Sequence, residues 1–124
     1  MTIQEVINRV RAIKSPCPPE ADMVEMINDV EYDVIRKIMY PRSEDIEFEG
    51  YTAADMITRL KAPRPFDNLY VIGILREIAR RESQETAFNN AEREYKEIFG
   101  ELAAWWTRSH RQAPGHVGSP WWGM

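Results

Sequence analysis

One cysteine, two histidines and a regular row of carboxylates are the residues of this 124-residue chain whose types could do chemistry. Thiolates and imidazoles attack carbonyls or hold zinc, and paired carboxylates move protons, provided a fold brings them together. Cys17 stands between Pro16 and Pro18 in "SPCPP", with no histidine near it in sequence, the setting of a loop thiol rather than a nucleophile. Being alone, it forms no internal disulfide, which suits a reducing cytoplasm. His110 and His116 are separated by five residues in a glycine- and proline-rich end, a poor spacing for metal ligation. No glycine-rich phosphate loop, CxxC pair, HExxH, GxSxG or calcium-loop pattern occurs. The expectation is a protein with no catalytic residues, no metal and no cofactor.

The carboxylate row is Asp22, Glu25, Asp29 and Asp33, three or four residues apart and so on one helix face. Like charges at that spacing cost roughly 0.2–0.5 kcal/mol per pair, and the helix dipole offsets only the first. Such a stripe is a solvated face, or one that meets a basic neighbour or must repel a polyanion. The charge distribution bears on this. Residues 20–55 hold eleven acids against three bases, residues 1–19 one acid against three bases, and residues 56–124 eight acids against ten bases. The net charge of −4 therefore hides a negative middle between mildly positive ends, which disfavours a basic nucleic-acid clamp and fits subunits that meet unlike face to unlike face. Arg76, Arg80 and Arg81 are interleaved with Glu77, Glu82 and Glu85, the pattern of a salt-laced helix surface.

The elements that carry these residues read as helices of one domain, residues 1–109, with an extended C-terminal tail, residues 110–124. No run nears the ~18 apolar residues of a membrane span, and with a charged helical pattern from the first residues no secretory leader is expected. Ile3, Val6, Ile7, Val10 and Ile13 mark a first helix, stopped by "SPCPP". Met23, Ile27, Val30, Val34 and Ile38 mark a second, with Asp22 as its cap or in its first turn and Pro41 at its end. Residues 41–64 form an irregular acidic middle, where Ile46 and Phe48 alternate with acids as in a short strand. Pro65 suits the first position of a third helix and Asp67 its positive end. Leu69, Tyr70, Val71, Ile72, Ile74 and Leu75 make that helix apolar all round, with Gly73 inviting a close crossing.

Phe88, Ala91, Tyr95, Ile98, Leu102 and Trp105 line a last helix over residues 84–109, widened by Ala87, Phe99 and Trp106. It would be about 39 Å long, against about 28 Å for the whole globule, so its end with Trp105 and Trp106 is expected to project toward another chain. Trp121 and Trp122 at the tip of the tail are interface anchors in kind. Fold class is thus all-α: a small bundle of about four helices, an irregular middle loop with possible short strands, a long C-terminal helix and a tail. One function compatible with these features is a small helical regulatory or adaptor module that binds another protein through its tryptophan tail.

Read from Pro63, the chain resembles a family of tailed-phage head–tail connector (adaptor or head-completion) proteins. The C-terminal signature of that family is a proline, one residue, then P-[YF]-D-x-L-Y-[VI], a helical span with an N-N pair, and W-Y-x-R-T-H. Here it corresponds to Pro63, Pro65, Phe66, Asp67, Leu69, Tyr70 and Val71, then Asn89 and Asn90, then Trp105, Trp106, Arg108, Ser109 and His110, with no gap from Leu69 to His110. "TIQEVINRVRAIKS" resembles the family's opening helix and "FEGY" (48–51) its middle loop, so the likeness covers residues 1–110. Trp106 stands where tyrosine is usual, Ser109 where threonine is, and Ser83 where the family turns between its last two helices on a glycine.

The resemblance implies a structural virion protein with no bond-making step. About a dozen copies would form a ring beneath the portal protein, extending the DNA channel and offering an attachment site to stopper or tail-completion proteins. DNA would pass without sequence-specific binding, and no membrane is involved. The protein would be assembled in the host cytoplasm and reside in the virion neck. Candidate portal or neighbour contacts are Trp105, Trp106, Arg108, Arg111, Trp121 and Trp122. Asp22, Glu25, Asp29, Asp33, Glu44, Asp45, Glu47 and Glu49 are candidates for a channel or inter-subunit acidic face.

Overall fold

The computed structural model describes residues 1–39 and 48–109. Its first helix, α1 (Ile3–Ile13), starts because Thr2 and Glu5 cap it reciprocally. The Thr2 hydroxyl accepts from the Glu5 amide at 3.2 Å, and the Glu5 carboxylate accepts from the Thr2 amide at 2.7 Å, satisfying two donors that a helix start leaves open. Ile3, Val6, Ile7 and Val10 are fully buried. Ile13, expected in the same stripe, is instead 58% exposed: it is the last helical residue, and the chain turns into an extended Lys14 immediately after it.

Helix α2 (Glu20–Val34) follows the prolines, with Pro19 in the N-cap place and no side-chain cap. Asp22 therefore sits in the first turn with Glu20, where negative charge meets the positive end of the helix. A π-helical turn, Ile35–Met39, continues α2 and buries Ile38 and Met39. Beyond residues 40–47, which include Ile46 of the anticipated short strand, Phe48 and Glu49 are in no strand. Among the described residues the one β contact is an isolated antiparallel bridge between Thr2 and Arg59. It belongs to a segment that runs along the N-terminus: Gln4 N donates to Met56 O (2.9 Å), Ile3 N to Thr58 O (3.2 Å) and Leu60 N to Met1 O (3.0 Å).

Helix α3 (Asn68–Arg81) begins three residues later than Pro65 would place it. The chain turns over residues 64–67 first, with Phe66 N donating to Pro63 O at 2.8 Å, so Pro65 is an exposed turn residue and not the first of the helix. Asp67 holds the N-cap place without capping; its buried carboxylate faces the Met1 amino group at 3.4 Å. Gly73 does face a close crossing. A Cβ there would lie 2.6 Å from Val30 Cγ2, so α2 and α3 meet at a distance only glycine permits.

Helix α3 ends in a Schellman motif. Gln84 N donates to Ala79 O (2.9 Å) and Ser83 N to Arg80 O (3.2 Å), with Ser83 left-handed at φ 56°. The chain reverses there into α4 (Glu85–Ser109), a 25-residue helix that lies back along α3. The anticipated all-α bundle of four helices with a long last one is therefore the architecture of the described residues.

Candidate interaction surface

Helix α4 carries an incompletely covered apolar face. Of its stripe, Tyr95 and Leu102 are buried, whereas Phe88, Ala91, Ile98, Phe99, Trp105 and Trp106 are half-buried and Ala87 is exposed. The stripe is wider than α3 can cover. At its C-terminal end Trp105 packs on its own chain, its ring 5.7 Å from Phe66 and 6.3 Å from Trp106. The two tryptophans expected to project are thus partly absorbed by the body, and Arg108 remains exposed in the last turn. His110, Arg111, His116, Trp121 and Trp122 lie outside the described residues.

Polar contacts fix how α4 lies on the other helices. Arg76 of α3 stands 4.0 Å over the Tyr95 ring and bonds the Glu92 carboxylate at 2.9 Å. Burial works against the Glu92 charge, but Arg76, and Lys96 at 3.4 Å, outweigh it and hold its pKa below the ordinary 4.5. The Tyr95 hydroxyl donates to Asp33 of α2 at 3.4 Å, and burial, then the Asp33 charge, push its pKa up.

Two members of the acidic row, Asp22 and Asp33, pair with bases of their own chain. Asp22 lies 3.5 Å from Arg81, and Asp33 lies 3.8 Å from Lys37. Arg81 also reaches Glu77 at 3.7 Å, while Arg80 pairs with Glu77. Glu25 and Asp29 are exposed. Asp29 is held above the ordinary aspartate value, first by displacement of water, then by the charges of Glu77, Glu25 and Asp33. Glu49 is exposed; Glu44, Asp45 and Glu47 lie outside the described residues.

The motif residues divide by role. Leu69 and Tyr70 are fully buried, Pro63 and Phe66 are half-buried, and Asn89 and Asn90 are exposed on the first half of α4. Cys17 is half-buried, its thiol donating to Lys14 O at 2.8 Å, as befits a loop thiol. No group of three or more His, Cys, Asp or Glu could hold a metal among the described residues, and no helix there is long and apolar enough to cross a membrane.

The residue that sequence reasoning passed over is Glu31. It is completely buried. Its carboxylate accepts from the Tyr70 hydroxyl at 2.5 Å, the Tyr51 hydroxyl at 2.6 Å and the Lys61 amide at 3.0 Å, and the Ala62 amide donates to the Tyr70 oxygen at 2.9 Å. Burial, then Glu31 itself, drive both tyrosine pKa values up, so both hydroxyls stay protonated as donors. One turn earlier, Asn28 accepts from Tyr51 N at 2.7 Å and donates to Tyr51 O at 3.1 Å. The signal lay in the spacing: Glu31 is four after Ile27 and three before Val34, a carboxylate inside an apolar stripe.

No family model, no curated protein and no solved structure matches the chain.

Proposed function

We propose that the protein is a head–tail connector (adaptor) of a tailed phage, many copies of which close a ring under the portal, extend the DNA channel and receive the stopper or tail-completion protein. It carries out no reaction; its work is done by surfaces. The observation that carries this reading is the reversal at Ser83. Apolar periodicity between Pro65 and Ser109 permits one continuous helix. The family resemblance instead calls for a turn at residue 83, and the chain turns there with a left-handed serine.

Two further features support it. A 25-residue helix with a half-covered apolar face has room for a partner, as a ring subunit requires. A net charge of −4 suits a channel lining along which DNA must slide, since each phosphate contact would hold it back. The test is to mix the purified protein with portal rings and with DNA-filled capsids that lack it. A ring of about a dozen copies on the portal is expected. No complex with either, together with one-to-one capture of a soluble regulatory protein, would overturn it in favour of the regulatory module.

A further inference from the structure

Ile57 is the most exposed large apolar side chain among the described residues, at 87%. It is not on a loose loop. It tips the turn after the 3-10 helix Ala53–Asp55, and both its neighbours are tied to the start of α1, Met56 O by Gln4 N and Thr58 O by Ile3 N. An aliphatic β-branched side chain held up on a fixed turn loses little freedom on docking. At the other end of α1, where Lys14 follows its last turn, a cleft of about 310 Å³ opens between α3 and α4. Its floor is Ile72, Leu75 and Ile78 of α3, and its wall is Ala87 and Ala91 of α4. Lys14 and Glu94 stand at its rim, one of each sign. Ile57 carries the matching set, with exposed Arg59 two residues after it and half-buried Asp55, whose Oδ2 also caps the Thr52 amide at 2.7 Å, two residues before.

We propose that Ile57 of one copy of this chain seats in the α3–α4 cleft of the next, with Asp55 and Arg59 meeting Lys14 and Glu94 at the rim. Knob and cleft lie at opposite ends of α1, about 16 Å apart along an 11-residue helix, so the contact is head to tail. A contact of that kind repeats from copy to copy and closes a ring when the rotation allows. Lys14 already holds Glu82 at 3.0 Å, but an ammonium has three donors and can serve a second carboxylate. The proposal names the self-contact within the ring reading, and for the ring itself it rests on that reading.

Two full-length single-cysteine variants, I57C and A87C, each also carrying C17S, test it. They are oxidised separately and as a mixture at roughly millimolar protein, where a weak contact is populated. The expected result is a disulfide dimer in the mixture, at least about tenfold above either variant alone. I57D should fold with unchanged thermal stability, since the site is exposed, yet weaken self-association by about tenfold in sedimentation. No preference for the mixed dimer overturns the proposal. So does preferential I57C–I57C linkage, which would mean a two-fold contact, or an intrachain A87C–W121C disulfide in a double variant, which would give the cleft to the chain's own tail. Portal binding distinguishes the two readings. Undiminished rings of I57D on the portal would remove this contact and leave the connector, whereas mixed dimers without portal binding would do the reverse.

Discussion

A serine at φ 56° closes the hairpin on which α4 depends. Left-handed geometry costs a residue with a Cβ roughly 1–2 kcal/mol, and glycine escapes that cost while giving some back as unfolded-state entropy. Ser83→Gly should therefore stabilise the protein by about 0.5–1 kcal/mol, read as a higher midpoint in urea with an unchanged slope. Glu31 is the opposite case, a residue with no slack. Glu31→Gln replaces an acceptor with an amide group facing donors, stranding one of the Tyr70, Tyr51 or Lys61 partners. The expected loss is about 1–3 kcal/mol, with hydrogen-exchange protection falling first at Lys61 and Ala62. Glu25→Gln, on the exposed row, should stay within about 0.5 kcal/mol of the parent. Nothing in composition separates these two glutamates. Only their phase on α2 does, and a single charged residue inside an apolar stripe is easily counted with the charged face.

Among the elements, periodicity was a good guide where a helix has one apolar side and clear stops. The spans of α1 and α4 and the position of α2 follow from their stripes and from the prolines around Cys17. It misjudged the start of α3, because two prolines two residues apart build a turn before the helix and spend Pro65 on it. It also placed Ile13 inside, since a period marks a face and says nothing of where the neighbouring helix ends. One member of the acidic row, Asp22, has a basic neighbour in Arg81, which only the tertiary fold brings beside it. Gly73 was legible as a cost that something must offset, and Val30 is that something. Gly73→Ala gains about 1 kcal/mol of helix propensity but drives a methyl into a stiff valine, so a net destabilisation of about 1–3 kcal/mol is expected in thermal unfolding. Val30→Ala in the same chain should relieve part of it.

For the molecule as a whole, acid is the informative perturbation. Glu77 is held low first by the Arg80 hydrogen bond, and Glu92 by Arg76 and Lys96 against its burial. A carboxylate whose pKa is lowered by folding stabilises the native state fully above its unfolded value. That contribution disappears as pH falls through the folded value. The melting temperature should therefore drop as pH is lowered below about 4.5, the ordinary value of these groups. The gap between the parent and Glu92→Gln should narrow over the same interval. A gap constant down to pH 3 would show that Arg76 holds α4 by stacking on Tyr95 alone.

Buried Glu31 ties down both Tyr51 and Lys61, and the start of α1 holds Met56, Thr58 and Leu60, so the nine residues between the two ends form a lasso fastened at its neck and stitched along its length. Closing so short a stretch at a common point restrains it at modest entropic expense. Its crown residue Ile57 stands clear of those stitches and of the core, so a change at that one position re-addresses the molecule while Met56 and Leu60 keep the segment packed on the helices.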